Sequence, residues 1–309
     1  MENVIEVQGL RKRYGAVEAL RDASFTVDRG EIFGIVGPNG AGKTTTVECI
    51  AGLRRPDGGT VRVLGLDPGR DRGPVRNRLG IQLQSSDVPE RLRVREVLAL
   101  YASFYDRPAD VSTLLTQWGL TEKAGVQTRK LSGGQRQRLS IALALVGAPE
   151  IVVLDELTTG LDPQARREAW ALVEQLRAGG VTVVLVTHFM EEAERLCDRV
   201  AVVDAGRVTA VDTPAGLIAR SGAVQRVRFR PIRELPLEEL RNLDEVSQIQ
   251  RTGGQLTVEG HGDLVRAVTG LLARRRILVS DLRVEQASLE DAYLALTGTT
   301  NPCAQEAAA

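Results

Sequence analysis

A glycine-rich segment early in the chain has the spacing of a phosphate-binding loop. Residues 37–44, GPNGAGKT, fit the pattern G-x-x-x-x-G-K-[ST] between the apolar run IFGIV and the helix-forming segment TTTVECIAGL. Glycines let the backbone turn tightly enough for successive N–H groups to face a phosphate chain, and a helix N-terminus adds partial positive charge. The pattern predicts a site for a phosphate-bearing ligand, and a structural glycine turn is the alternative.

Two side chains at the end of this loop have separate expected roles. Lys43 is expected to reach the β- and γ-phosphates of a nucleotide, and the Thr44 hydroxyl to ligate Mg²⁺. The predicted contacts of the whole loop are Gly37, Pro38, Asn39, Gly40, Ala41, Gly42, Lys43, Thr44 and Thr45.

Two adjacent carboxylates follow a run of four apolar residues in the segment IVVLDE, residues 151–156. Charge at the end of a buried strand needs a partner, and Mg²⁺ supplies one. Because ligands of parallel sheets collect at the carboxyl ends of strands, where the phosphate loop also opens, Asp155 is predicted to ligate the metal. Glu156 would face the γ-phosphate and polarise the attacking water as a general base. A capping pair on a loop is the alternative.

The segment LSGGQ, residues 131–135, combines a helix start with exposed backbone donors. Ser132 at the N-cap and Gln135 three residues later form a capping-box pattern. The two glycines between them expose N–H groups to an anion, although an ordinary helix start would need no ligand. The predicted contacts are Leu131, Ser132, Gly133, Gly134 and Gln135.

In this order and spacing, the phosphate loop, LSGGQ and LDE resemble the nucleotide-binding domain of ABC ATPases over residues 4 to about 218. The resemblance implies an α/β P-loop NTPase core, the ligands ATP and Mg²⁺, and ATP held between two subunits. Each subunit would supply its phosphate loop to one side of the nucleotide and LSGGQ to the other subunit's nucleotide. The implied partners are a second ATPase subunit, for which a homodimer is the simpler expectation than two unlike ATPases, and an integral membrane permease.

The same resemblance implies roles for residues outside the three motifs. Tyr14 matches the aromatic that stacks on adenine, with a core tyrosine as the alternative. Gln84 matches the glutamine that senses Mg²⁺ and acts in catalysis, although Gln82 lies two residues away. Asp162 matches the loop that crosses to the other subunit, and His188 the histidine that contacts the γ-phosphate.

One position departs from the family pattern. A proline usually follows the catalytic glutamate, and this chain has Leu157. We expect its absence to loosen the turn without removing a catalytic group.

The alternation of short apolar runs and helical segments predicts an α/β core around a mainly parallel sheet up to residue 218. Residues 20–27 alternate in polarity and predict an antiparallel β edge, whereas residues from about 88 to 130 predict a helical insertion. The expected buried strands are 32–36, 151–154, 181–186 and 200–203.

A second, smaller domain is predicted over residues 219–300. Its order βαββαβ is that of a ferredoxin-like α+β fold, and residues 301–309 are expected to be a disordered tail. The terminal segment SLEDAYLALTG resembles the accessory domain of daunorubicin-type drug-resistance exporters, with a generic amphipathic helix as the alternative.

Composition and the motifs that are present or missing disfavour several other classes of protein. Lysine plus arginine equal aspartate plus glutamate at 40 each, which disfavours nucleic acid as a partner. No run reaches the roughly 18 apolar residues of a membrane span, so we expect a peripheral protein held at the cytoplasmic face of the membrane by its permease. Non-transport ABC ATPases of DNA repair or translation control typically carry long coiled coils, zinc modules or two tandem ATPase domains, which this sequence lacks. A small-molecule P-loop kinase would leave LSGGQ unexplained.

Overall fold

Most strands of the chain belong to a single mixed sheet. The computed structural model describes residues 2–82, 88–222, 224–233 and 235–297, which divide into two units, Met1–Pro214 and Ala215–Ala309. The described strands of the first unit are β1 (Asn3–Tyr14), β2 (Val17–Asp28), β3 (Ile32–Val36), β4 (Gly58–Val63), β5 (Leu79–Gln82), β6 (Ile151–Asp155), β7 (Thr182–Thr187), β8 (Arg199–Asp204) and β9 (Arg207–Asp212). Their order across the sheet is β4-β1-β2-β9-β8-β3-β7-β6-β5.

The centre of this sheet is parallel and buried. β3 pairs in parallel with β7 and β8, and β6 pairs in parallel with β5 and β7. Every residue of β3, β6 and β7 is buried, as expected for strands covered on both faces. The four predicted core strands are confirmed.

The predicted antiparallel edge is also present. β1 pairs antiparallel with β2 and β4, and the alternating burial of β2 leaves one of its faces exposed. Phe25 of β2 stacks on Phe33 of β3 with ring centroids 5.3 Å apart, which joins the edge to the parallel core.

Helices cover the first unit and form the insertion. In chain order they are α1 (Lys43–Ile50), α2 (Arg72–Arg76), α3 (Val94–Ala102), α4 (Val111–Gln117), α5 (Gly133–Leu145), α6 (Pro163–Ala178) and α7 (Met190–Leu196), followed at the junction of the two units by α8 (Pro214–Ser221). Between residues 88 and 130 the described structure is α3, α4 and two short 3₁₀ turns, without a strand, as predicted for the helical insertion. The expected domain boundary at residue 218 falls inside α8, slightly after the division between the units.

The second unit contains β10 (Gln225–Pro231), α9 (Leu237–Arg241), β11 (Val246–Thr252), β12 (Gln255–Gly260), α10 (Leu264–Arg274), β13 (Val279–Glu285) and α11 (Leu289–Thr297). The strands form an antiparallel sheet in the order β11-β12-β10-β13, which is the arrangement of a split βαβ fold. Val227 and Phe229 of β10 are fully buried against leucines of α9 and α10.

The described part of the chain contains no helix that is both long and apolar enough to span a bilayer. The predicted tail, residues 301–309, lies outside the described residues.

Candidate functional site

A cavity of about 520 Å³ brings three of the predicted features together. It lies where the loop between β3 and α1 meets the carboxyl end of β6, the location expected for ligands of a parallel sheet. Its lining residues are Tyr14, Ala19, Asn39, Gly40, Gly42, Lys43, Thr44, Thr45 and Glu156. Gly37, Pro38 and Ala41 belong to the same loop but do not line the cavity.

Two positions of the loop require glycine, because backbone atoms of other segments lie too close to leave room for a side chain. A Cβ on Gly37 would lie 2.1 Å from the carbonyl oxygen of Val203, and one on Gly42 would lie 2.5 Å from that of Ala19. Gly42 also has a φ of 103°, which disfavours other residues, and it immediately precedes α1. The loop is therefore pressed against its neighbours while its open side faces the cavity.

Lys43 is buried at the start of α1, and its ammonium group forms hydrogen bonds with the backbone of the loop. Its Nζ atom donates to the carbonyl oxygens of Gly37 at 2.7 Å and Pro38 at 2.9 Å. Burial lowers the pKa of Lys43, and the nearby carboxylates of Glu156 and Asp155 oppose that shift. The cation is thus held between the loop and the two acids that follow β6.

Asp155 is the buried member of the acidic pair. Burial raises its pKa to about 6, the charge of Glu156 adds to the increase, and Lys43 and Thr44 counteract it. Both of its carboxylate oxygens are buried without a hydrogen bond within 3.5 Å to another described residue. Mg²⁺ is usually held by one or two carboxylates together with the phosphates of a ligand, so the oxygens of Asp155 and Thr44 fit this cation.

Glu156 lies in the cavity and is held in an uncommon backbone conformation. Its φ is 51°, and its amide donates to the carbonyl oxygen of Val186 at 2.8 Å. His188 follows the same strand as Val186, and its Nδ1 atom lies 3.4 Å from Glu156 Oε1. The following Leu157 is fully buried. The loosening of the turn expected from the absence of proline stays a prediction.

Tyr14 is the aromatic residue at the edge of the cavity. Its side chain is 39% exposed, which excludes a core role. The cationic groups of Arg54 and Lys12 lie 5.4 and 5.7 Å from its ring centroid. Tyr14 is therefore a partly exposed aromatic at the edge of the cavity, with two cationic side chains near its ring.

The LSGGQ segment lines a different cavity, of about 770 Å³. Ser132 Oγ accepts the amide of Gln135 at 3.3 Å, and Gln135 Oε1 accepts the amide of Ser132 at 3.1 Å, so the predicted capping box is confirmed. Asp162 caps α6 by accepting two amides at 2.9 Å. The lining includes Ser132, Gly133, Gly134, Gln135, Gly160, Leu161 and Asp162, whereas Leu131 is buried and absent from it.

Gln84 lies outside the described residues. Gln82, the alternative, is buried at the end of β5, in register with Leu154 of β6.

Sequence reasoning missed two features of these cavities. Ala19 of β2 lines the first cavity, and an ion pair between Arg138 of α5 and Glu168 of α6 lies at the second. The pair joins residues 30 positions apart, and no local pattern in the sequence indicates such a contact.

Comparison with known proteins agrees with this geometry. Residues 20–159 match the family described as ABC transporter. Daunorubicin resistance ATP-binding protein DrrA2 of Streptomyces coeruleorubidus is 37% identical over 318 residues, covering 98% of both chains. Nod factor export ATP-binding protein I of Ralstonia nicotianae is 43% identical over 220 residues, covering 70% of this chain and 68% of that protein.

A solved ATP-binding cassette, in a dimeric post-hydrolysis state bound to ADP and Pi, is 26% identical with a TM-score of 0.62, covering 68% of this chain and 98% of that one. Its fold matches a unit in which the phosphate loop and Glu156 line one cavity, with Asp155 buried next to Glu156 and His188 3.4 Å from it. With a relative alignable over nearly its whole length, the chain belongs to the ABC transporter family, as an ATP-binding and ATP-hydrolysing subunit.

Proposed function

We propose that two copies of this chain enclose two ATP molecules between them and power an exporter through a separate membrane-spanning permease. The observation that carries this proposal is the division of the motifs between two cavities. Lys43 and Glu156 line one, whereas Ser132 and Asp162 line the other. Neither cavity alone holds a complete site, and a second copy facing the first would bring the missing half to each nucleotide.

Nucleotide binding is assigned to the first cavity. Tyr14 stacks on adenine, and the amides of the glycine loop together with Lys43 hold the phosphates. Asp155 and the Thr44 hydroxyl would hold Mg²⁺, which when bound neutralises charge on the β- and γ-phosphates. The LSGGQ amides of the second copy approach the γ-phosphate from the opposite side.

Hydrolysis is assigned to the pair at the ends of β6 and β7. Glu156 orients the attacking water and accepts its proton as general base. His188, within 3.4 Å of that carboxylate, donates to the γ-phosphate from its remaining ring nitrogen and keeps Glu156 in place. The burial of Asp155 and Lys43 beside them places these charges in a poorly hydrated site, where electrostatic interactions are strong.

Export is the transport direction that we infer. Relatives named for daunorubicin resistance and Nod factor export support a drug, antibiotic or lipid as cargo. The permease would hold the protein at the cytoplasmic face of the membrane. We assign residues 1–218 to nucleotide binding and residues 219–300 to an accessory domain.

Dimerisation of a hydrolysis-deficient variant tests the shared site. The Glu156→Gln chain should form dimers with Mg²⁺ and ATP, as measured by light scattering. Adding Ser132→Arg should abolish dimerisation while the monomer still binds ATP, because the arginine blocks only the face presented to the other copy. Ser112→Arg, at an exposed serine of α4, is the matched control. Unaltered dimerisation of the Ser132→Arg chain would contradict the shared site.

A further inference from the structure

A buried carboxyl group that no step above uses lies on the helix that follows His188. Glu192 of α7 has no exposed surface. Its Oε1 atom accepts a hydrogen bond from Trp170 Nε1 of α6 at 3.1 Å. Its Oε2 atom is buried without a hydrogen-bond partner in the described part of the chain. A buried acid of this kind is costly and needs an explanation.

The surroundings of Glu192 join the segments that carry the two hydrolytic residues. The hydroxyl groups of Thr187 and Thr158 partly offset the effect of burial on its pKa, although Thr158 Oγ1 is itself buried without a hydrogen-bond partner among the described residues. Thr187 directly precedes His188, and Thr158 lies two residues after Glu156. Thr187 Oγ1 also accepts the amide of Phe189 at 3.0 Å, which fixes the turn through His188. The carboxyl group therefore lies near the segments that follow β6 and β7.

Helix α6 reaches the same turn by a second contact. The guanidinium carbon of Arg166 lies 4.9 Å from the ring centroid of Phe189. The Phe189 ring in turn lies 4.0 Å from the His188 ring. Because Asp162 begins α6, this helix connects the loop expected to meet the second copy with the histidine turn.

Burial of the Glu192 carboxyl group shifts its equilibrium towards the protonated form. Burial raises the pKa of Glu192, and the side chains of Thr187, Trp170 and Thr158 oppose this shift less strongly. A protonated acid can accept from Trp170 through one oxygen and donate from the other. The neutral group also avoids a buried negative charge without a direct ion pair.

We propose that Glu192 is a positioning residue, which through Trp170, Thr158 and Thr187 holds His188 and Glu156 in the relative placement that hydrolysis requires. This inference rests on the proposed roles of His188 and Glu156. It assigns Glu192 no contact with ATP.

Single-turnover hydrolysis by the full-length chain, with protein in excess over ATP and at a concentration well above the dissociation constant, tests the inference. Glu192→Ala should lower the hydrolysis rate about tenfold or more, since small displacements of catalytic groups are costly, while the affinity for ATP changes by less than about twofold. Glu192→Gln, a neutral isostere, should restore the rate to within about threefold of wild type. The matched control is Glu194→Ala, at an exposed position of the same helix; its rate should be unchanged.

A double-mutant cycle distinguishes positioning from general destabilisation. If Glu192 acts through His188, adding Glu192→Ala to His188→Ala should lower the remaining rate by less than about twofold. An equal effect of Glu192→Ala in both backgrounds would overturn the inference and leave the proposed function intact. A wild-type rate in His188→Ala itself would overturn the role of His188, and this inference with it.

A conservative variant covers the case in which Glu192→Ala does not fold. Trp170→Phe removes the hydrogen bond to Glu192 and keeps an aromatic ring in the core. It should lower the rate several-fold with ATP affinity unchanged. A wild-type rate in Trp170→Phe, or a rate in Glu192→Gln as low as in His188→Ala, would refute the positioning role.

Discussion

His188 Nδ1 lies 3.4 Å from Glu156 Oε1, although 32 residues separate them in the chain. The contact arises because β6 and β7 are adjacent parallel strands, so the residues that follow them emerge at the same edge of the sheet. Glu156 sits in a left-handed backbone conformation, with φ of 51°, that is uncommon for a residue with a side chain. This combination is expected of a site that holds a water molecule between a base and a phosphate.

Glu156→Gln should retain ATP binding and lower turnover at least about a hundredfold, the usual effect of losing a general base. The amide keeps the size of the side chain but cannot accept a proton from water. Hydrolysis measured by phosphate release, together with equilibrium ATP binding, gives both quantities. Turnover near the wild-type rate would exclude Glu156 as the base.

Two inactive variants should restore each other when mixed. Lys43→Ala should weaken ATP binding, because a direct phosphate contact is lost, and Ser132→Arg should block the face presented to the other copy. In a mixed dimer one site carries both defects and the other carries neither. We expect phosphate release well above the sum of the separate variants. Mixtures no more active than their components would argue that each chain completes its own site.

The central strands and the helix caps can be predicted from local sequence, whereas contacts between residues far apart in the chain cannot. The continuous apolar run before Asp155 predicts β6, and the pattern from Ser132 to Gln135 predicts the capping box, because both depend on neighbouring residues. Glu192 stands in the charged stretch MEEAER, which is typical of an exposed helix face. Its burial depends on Trp170, 22 residues earlier, and only tertiary packing brings the two together.

Tyr14 should contribute to affinity through its ring rather than its hydroxyl. Tyr14→Phe should bind ATP as wild type does, whereas Tyr14→Ala should weaken binding by about 1 kcal/mol, or roughly fivefold. The affinity for GTP should fall by a similar factor, because stacking does not depend on the hydrogen-bonding groups at the edge of the base. Fluorescence titration with a labelled nucleotide measures these affinities. Equal affinity of the alanine variant would place the base elsewhere.

Asp155 should destabilise the folded chain at neutral pH when Mg²⁺ and nucleotide are left out. Its folded pKa of about 6 exceeds the reference value of 3.8, so the folded state binds the proton more tightly than the unfolded state. The free energy of unfolding should therefore rise as the pH falls from about 6 towards 4. Above about pH 6 the destabilisation by ionised Asp155 is at its full value.

Asp155→Asn should consequently raise the free energy of unfolding at pH 7.5, by up to about 3 kcal/mol, and by much less near pH 4. Urea titrations at the two pH values provide the measurement. Asp110→Asn is the control of opposite sign, because hydrogen bonds from Thr113 lower the pKa of Asp110 and its charge stabilises the helix start. A pH-independent effect of Asp155→Asn would refute the raised pKa.

We expect the permease to dock on the groove between the core and the helical insertion, near residues 84–95, of which 84–87 lie outside the described residues. The mixed segment 88–95 suggests an interface containing Val88, Leu92 and Val94, yet Val94 is fully buried at the start of α3. Alternation of charged and apolar residues does not reveal which of the apolar ones face inward. Val88 and Leu92 are partly exposed, and the same insertion exposes Phe104 by 69%.

We expect closure of the ATP site to reach this surface through β5. β5 pairs with β6, the strand that ends at Asp155, and the chain continues from Gln82 into the insertion. Movement at the γ-phosphate would therefore shift whatever packs against the insertion. An apolar centre with charged residues around it also suits a protein interface.

Disulfide crosslinking in the purified complex tests this docking. Val88→Cys, Leu92→Cys or Phe104→Cys should crosslink to a cysteine in a cytoplasmic loop of the permease, with a yield that differs between ATP-bound and nucleotide-free complexes. The native Cys49 and Cys197 are buried and should not interfere, and Cys303, which lies outside the described residues, is removed by Cys303→Ser in every variant. Val94→Cys is the internal control, because a buried thiol should remain unlinked. If these exposed positions fail while cysteines on the second unit crosslink efficiently, the permease docks on that unit and the route through β5 must be abandoned.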